Sequence, residues 1–153
     1  MAAPPSRPRR RTPRNPHWDY RTPGPYFVTL NTKDRVRLLS EIRSSQVYLT
    51  ALGDVVVRCW RSLPEHVRGL HLARFVVMPD HLHGIVILPH DSRSLVDTVG
   101  HFKCAVTREA LAAGLGFPRP LWQRSFHDRF IRNENEWWRI DRYIAENPAR
   151  WRE

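Results

Sequence analysis

The chain is poor in cysteine, in acid and in long apolar runs, and each shortage excludes something. Its two cysteines, Cys59 and Cys104, show no paired spacing. They therefore read as small apolar residues in a reducing compartment rather than as a disulfide or a zinc pair. No uninterrupted apolar run approaches the roughly 20 residues that cross a bilayer, so membrane insertion is not expected. Met1 leads into proline and arginine rather than an apolar stretch, so no signal peptide is expected and the chain is placed in the cytoplasm. No internal repeat is present. Acids number 15 against 25 lysines and arginines, for a formal net charge of +10. Such an imbalance points to a polyanionic partner, nucleic acid or an anionic membrane surface. With 153 residues the chain can form one domain with a substantial core.

The first 25 residues hold seven of the thirteen prolines and six arginines against one acid, Asp19. Without hydrophobic periodicity this segment reads as a disordered basic arm ahead of a domain over residues 26–153. Within it Arg9, Arg10 and Arg11 are candidates for sequence-independent phosphate contact.

The rest of the chain is organised around residues 75–89, Phe-Val-Val-Met-Pro-Asp-His-Leu-His-Gly-Ile-Val-Ile-Leu-Pro. Two runs apolar on both alternating faces, joined at Pro79-Asp80, read as a hairpin of central strands. His81 and His83 are two apart, so in a strand they share a face. They are either half-buried histidines bonded to backbone or half of a metal site completed from elsewhere. The next alternate residue is Ile85 rather than a third histidine, which excludes a histidine-triad hydrolase. Asp80 beside them is either a turn former or an orienting partner for a ligand imidazole.

Around this hairpin, Tyr26–Asn31 predicts a strand. Leu49, Leu52, Val56 and Cys59 recur at helical spacing and predict a helix from about Ser45 to Trp60. Leu95, Val99, Phe102, Val106 and Ala110 form the stripe of a second helix over Leu95 to about Ala113. Lys103 and Arg108 lie off that stripe and are candidate DNA contacts. A short strand follows at about His127 to Arg132. A last helix runs from about Asn135 to Glu146, capped by Asn133 or Asn135 and stopped by Pro148. Its stripe is Trp137, Ile140 and Ile144, with Tyr143 and Asn147 on the margin. Trp138, about 100° away from the stripe, is a candidate for stacking on a base. The pattern is α+β, and its simplest closure is a ferredoxin-like antiparallel sheet with the long helices on one face.

Four stretches follow one another in an order that resembles the REP-associated tyrosine transposases, relatives of the small single-tyrosine HUH insertion-sequence transposases. They are Val77 to His83, Gly100 to Thr107, Trp122 to Arg132 and Tyr143 to Pro148. The resemblance runs from about Tyr26 to Trp151. It implies that His81 and His83, with Asn147 as third ligand, hold a divalent metal, Mg²⁺ or Mn²⁺, and that Tyr143 is the nucleophile. It implies a single-stranded DNA endonuclease and strand-transferase that forms a 5′-phosphotyrosyl intermediate near hairpins of repetitive palindromic elements. Relatives include monomers and homodimers. Two other readings remain: a non-catalytic or domesticated nucleic-acid-binding protein of the same fold, and a metal-dependent RNA nuclease that would not need Tyr143.

Overall fold

The computed structural model describes residues 14–152, so Arg9, Arg10 and Arg11 lie outside the described residues. In chain order the elements are β1 (Gly24–Asn31), β2 (Ser40–Arg43), β3 (Gln46–Leu49), α1 (Ala51–Arg61), α2 (Leu63–His66), β4 (His71–Val77), β5 (His81–Leu88), α3 (Leu95–Ala112), β6 (His127–Phe130) and α4 (Glu134–Arg150). Four strands make one antiparallel sheet in the order β4-β5-β1-β6. The crossovers from β1 to β4 and from β5 to β6 carry α1 and α3, which is the ferredoxin-like arrangement. This is one α+β domain.

The alternation of β5 decides what lies on each side. Leu82, Val86 and Leu88, with Tyr26, Val28 and Leu30 of β1, face α1 and α3 in the larger core. Ile85 faces the opposite way and packs with Phe27, Ile87, Ile140 and Ile144. So α1 and α3 share one face as expected, whereas α4 crosses the other, correcting the placement of all long helices together. The reason is that β5 is apolar on both faces, and one helical layer would leave Ile85 and Ile87 in water.

Gly84 sits where the larger core is tightest. A Cβ built there would lie 2.5 Å from Trp60 Cζ2 and 3.2 Å from Phe75 Cβ. Trp60 is fully buried, so it cannot swing into solvent to make room. Gly84→Val is expected to cost about 1–3 kcal/mol, read as a lowered midpoint in thermal or urea unfolding. An unchanged midpoint would show that Trp60 repacks freely.

Three further expectations are corrected. The helix predicted from Ser45 starts at Ala51, because Ser44 and Ser45 both take positive φ (48° and 63°) and close a β2–β3 hairpin. Thr50 then caps α1, its Oγ1 accepting from Gly53 N–H at 3.0 Å and donating to the Leu38 carbonyl at 2.7 Å. Leu49 matched the helical spacing but is a strand residue. Secondly, α4 runs through Pro148 to Arg150. A proline in the last turn forfeits one hydrogen bond, and its fixed φ suits a helix. Thirdly, of the arm expected over residues 1–25, residues 1–13 lie outside the described residues, and residues 14–25 lie against the domain. Trp18 lies 4.9 Å from the Phe130 ring and donates to Tyr26 Oη at 3.1 Å, and Tyr20 donates to Asp128 at 3.2 Å. Aromatic burial at Trp18 and Tyr20 outweighs the local proline-rich composition.

Candidate active site

His81 and His83 open β5 on the face that α4 covers, and both are buried. Antiparallel pairing sets Asn31 opposite His81 and Thr29 opposite His83. Thr29 Oγ1 lies 2.8 Å from His83 Nδ1. On the other ring, His81 Nδ1 donates to Asp80 Oδ1 at 2.6 Å. With both Nδ1 atoms engaged, the two Nε2 atoms face each other 3.1 Å apart.

Asp80 is held in turn. Arg35 Nε donates to its second oxygen at 3.0 Å, and Arg35 Nη1 donates to Asn31 Oδ1 at 3.1 Å. Arg35 reaches there from a turn in which Asp34 and Arg35 both have positive φ, 55° and 56°. Two successive non-glycine residues in that region store strain that the surrounding contacts must hold. Burial alone would raise the Asp80 carboxyl, but hydrogen bonds from Arg35 and His81 outweigh it and leave the pKa below the usual carboxylate value. Burial pushes the His81 pKa down, against the pull of Asp80. It pushes His83 down to about 3, helped by the neighbouring His81 and Arg35. Both imidazoles are therefore neutral near pH 7, the form that donates a lone pair to a metal.

Asp80 keeps the His81 proton on Nδ1, so His81 Nε2 carries a lone pair. With the His83 proton on Nε2 and the Thr29 hydroxyl donating to Nδ1, the 3.1 Å contact is a hydrogen bond. In the other tautomer, with His83 Nδ1–H donating to Thr29 Oγ1, both Nε2 lone pairs are free together. Two donors at right angles on an ion with bonds of about 2.1 Å stand about 3.0 Å apart, so the spacing fits a shared cation. Among the described residues no three His, Cys, Asp or Glu side chains group to hold a metal. The Asn147 side chain of α4 lies near enough to His81 to pull its pKa up slightly against burial, which makes its amide the candidate third donor. Two neutral imidazoles and an amide suit a weakly held divalent ion that keeps open positions. Asp80→Asn, which weakens the orientation of His81, is expected to lower Mn²⁺ affinity about 10- to 100-fold by calorimetric titration. Equal affinity would make Asp80 only a turn residue.

α4 brings the remaining groups. Tyr143 and Asn147 are one turn apart, and the Tyr143 ring lies 5.4 Å from His83 and 6.1 Å edge-on from Phe27. Tyr143 is 41 % exposed, and its hydroxyl has no hydrogen-bond partner among the described residues. Just past α4, Trp151 stands 6.4 Å from His81, with the Arg37 guanidinium 5.1 Å above its ring.

The structure thus gathers His81, His83, Asn147 and Tyr143 at one end of the sheet. It does not gather the other candidates there. Lys103, read from the sequence as a DNA contact, instead donates to the carbonyls of Gln123 and Ser125 at 3.0 and 2.7 Å, tying α3 to that loop. Burial lowers its pKa to about 8. Arg108 is exposed on α3, across the sheet from the histidines. Trp138 is exposed on α4 ahead of Tyr143. Sequence reasoning missed Thr29, Asn31 and Arg35. The first two alternate along β1 as the histidines do along β5, yet only the register shows that they meet. Arg35 leaves no periodic signal at all.

No known family profile matches the chain. It is 32 % identical over 163 aligned positions to an uncharacterised protein of Haemophilus influenzae strain Rd, covering 93 % of this chain and 89 % of that one. Among solved structures, a REP-associated tyrosine transposase bound to a REP hairpin matches with a TM-score of 0.66 at 23 % identity, over 89 % of this chain and 73 % of the other. A candidate transposase from Deinococcus radiodurans R1 matches with a TM-score of 0.56 at 22 % identity, over 87 % and 95 %. At these identities the two structures establish the fold. Among the described residues no helix is long and apolar enough to cross a membrane.

Proposed function

We propose that this protein, which belongs to one family with its Haemophilus influenzae relative and has the fold of a REP-associated tyrosine transposase, is a metal-dependent single-stranded DNA endonuclease and strand-transferase. The observation that carries the reading is the convergence of Tyr143 and Asn147 of α4 with His81 and His83 of β5 at one end of the sheet. A DNA-binding surface alone has no need of that set.

His81 Nε2, His83 Nε2 and the Asn147 amide oxygen would hold Mg²⁺ or Mn²⁺. Bound there, the ion would supply charge neutralisation at a phosphate's non-bridging oxygen. Tyr143 is the catalytic residue. Phe27 and His83 fix its ring from two sides, while its exposure leaves the hydroxyl open to a strand arriving from solvent. The phenol oxygen forms a bond to phosphorus as the bond to the 3′ oxygen breaks. A 5′-phosphotyrosyl link and a free 3′-OH result, the phenol proton passing to solvent and the leaving oxygen taking one up. A second strand's 3′-OH can attack the link in the reverse sense, so bond energy is conserved and no nucleotide triphosphate is consumed. The DNA partner we propose is a single strand beside a hairpin, by analogy with the solved transposase.

The test is to incubate end-labelled hairpin-bearing single strands with the protein and Mn²⁺ or Mg²⁺, with and without chelator, and to look for label that migrates with protein on a denaturing gel. A metal-dependent adduct is expected. Bound but uncut DNA would establish a binding protein of this fold, and cutting without an adduct would establish a metal nuclease.

A further inference from the structure

The outer face of α4 carries a feature that the cleavage chemistry leaves unused. Asn135, Trp138, Arg139, Arg142 and Tyr143 line a trough of about 390 Å³ along the helix. Trp138 is 57 % exposed, and its Nε1 donates to Glu134 Oε1 one turn earlier at 3.2 Å. That bond orients the exposed indole along the helix. The charges around it are unevenly treated. Arg74 pairs with Asp141, Arg129 with Glu136, and Arg150 with Glu146. Arg139 and Arg142, beside the indole, form no ion pair among the described residues. Glu146 lines the far end of the trough but is taken by Arg150. An oriented aromatic surface flanked by two unpaired guanidiniums is complementary to a base and its phosphates.

We infer that this trough is a docking track for single-stranded DNA, with Trp138 stacking one base and Arg139 and Arg142 contacting the phosphates beside it. The inference deepens the proposed function and rests on it for the strand's direction toward Tyr143. Five helical residues separate Trp138 from Tyr143, about 7.5 Å along the axis. The two side chains also stand about 140° apart around that axis, so a strand stacked on Trp138 must follow the outer face of α4 round to Tyr143. On the other side of Trp138 a more apolar cavity of about 600 Å³, walled by Phe130, Ile131 and Trp137, continues the track.

The test is equilibrium binding of a short fluorescein-labelled single-stranded oligodeoxynucleotide to the full chain, by anisotropy in chelator so that no strand is cut. Trp138→Ala is expected to weaken binding at least about fivefold, and Trp138→Phe to retain most of it. Arg139→Gln and Arg142→Gln are each expected to reduce the slope of log affinity against log salt by about 0.7. The indole lies outside both cores, so these variants keep the fold, which thermal unfolding verifies. Trp138→Ala binding as tightly as the parent overturns the inference. So does a chain that is dimeric without DNA and becomes monomeric on the same substitution, since the trough would then be a subunit interface. The two readings fail separately: adduct formation with Trp138-independent binding removes the track and keeps the nuclease. Trp138-dependent binding without any adduct does the reverse.

Discussion

Tyr143→Phe is expected to abolish the covalent protein–DNA adduct, lowering its rate of formation by about three orders of magnitude or more, the scale on which removal of a nucleophile is felt. The substitution removes one oxygen and leaves the ring that packs against Phe27 and His83. Stability and strand binding should therefore stay close to those of the parent, and the loss can be assigned to chemistry. The other tyrosines are poorly placed to substitute. Tyr26 is fully buried, Tyr20 is bonded to Asp128, and Tyr48 lies under Arg43 on β3. Among the described aromatic contacts, Tyr143 is the tyrosine that meets a histidine of the pair. A denaturing gel of labelled hairpin DNA with parent and variant is the measurement. Adduct surviving in the variant would mean another nucleophile and would sink the assignment of Tyr143.

His81→Ala has the second large effect. It removes one of two imidazole donors and strips Asp80 of one of its two side-chain hydrogen-bond partners. Loss of Mn²⁺ affinity should then exceed the roughly 10- to 100-fold that follows when only the orienting partner of a ligand is changed. Adduct formation should fall with it, while anisotropy of hairpin DNA changes little, because the proposed strand contacts lie on α4. Asp80 would keep only Arg35, so a milder His81→Asn variant guards against misreading a folding defect. Metal affinity and adduct retained in both variants would remove the histidines from the mechanism. Hairpin binding lost together with metal affinity would instead mean that the strand is held mainly at the histidines.

Much of this arrangement was legible before any tertiary structure. The apolar runs around Pro79-Asp80 required a central hairpin, and the two-residue spacing required His81 and His83 on one face. The stripe Leu95, Val99, Phe102, Val106 and Ala110 is buried throughout in α3, and Ile140 and Ile144 of α4 face the sheet as their spacing demands. Each of these is a relation between near neighbours, which backbone periodicity transmits directly. Legibility failed where one local signal imitated another. Leu49 fell in step with Leu52 and Val56, yet the positive φ of Ser44 and Ser45 turns that stretch into a hairpin.

Local pattern by itself therefore determined which side chains share a face, and where most elements begin. The tertiary structure decided which faces meet. Nothing within β5 tells that α4 rather than α3 will cover the histidines. That follows from both faces of the sheet needing cover while the crossovers carrying α1 and α3 occupy one of them. The β1–β5 register brought Thr29 to His83, and a strained turn brought Arg35 to Asp80. The same packing tied Lys103 of α3 to the carbonyls of Gln123 and Ser125. Such meetings join residues from about 20 to about 55 positions apart, and they depend on the sum of many weak contacts that no single stretch of chain contains.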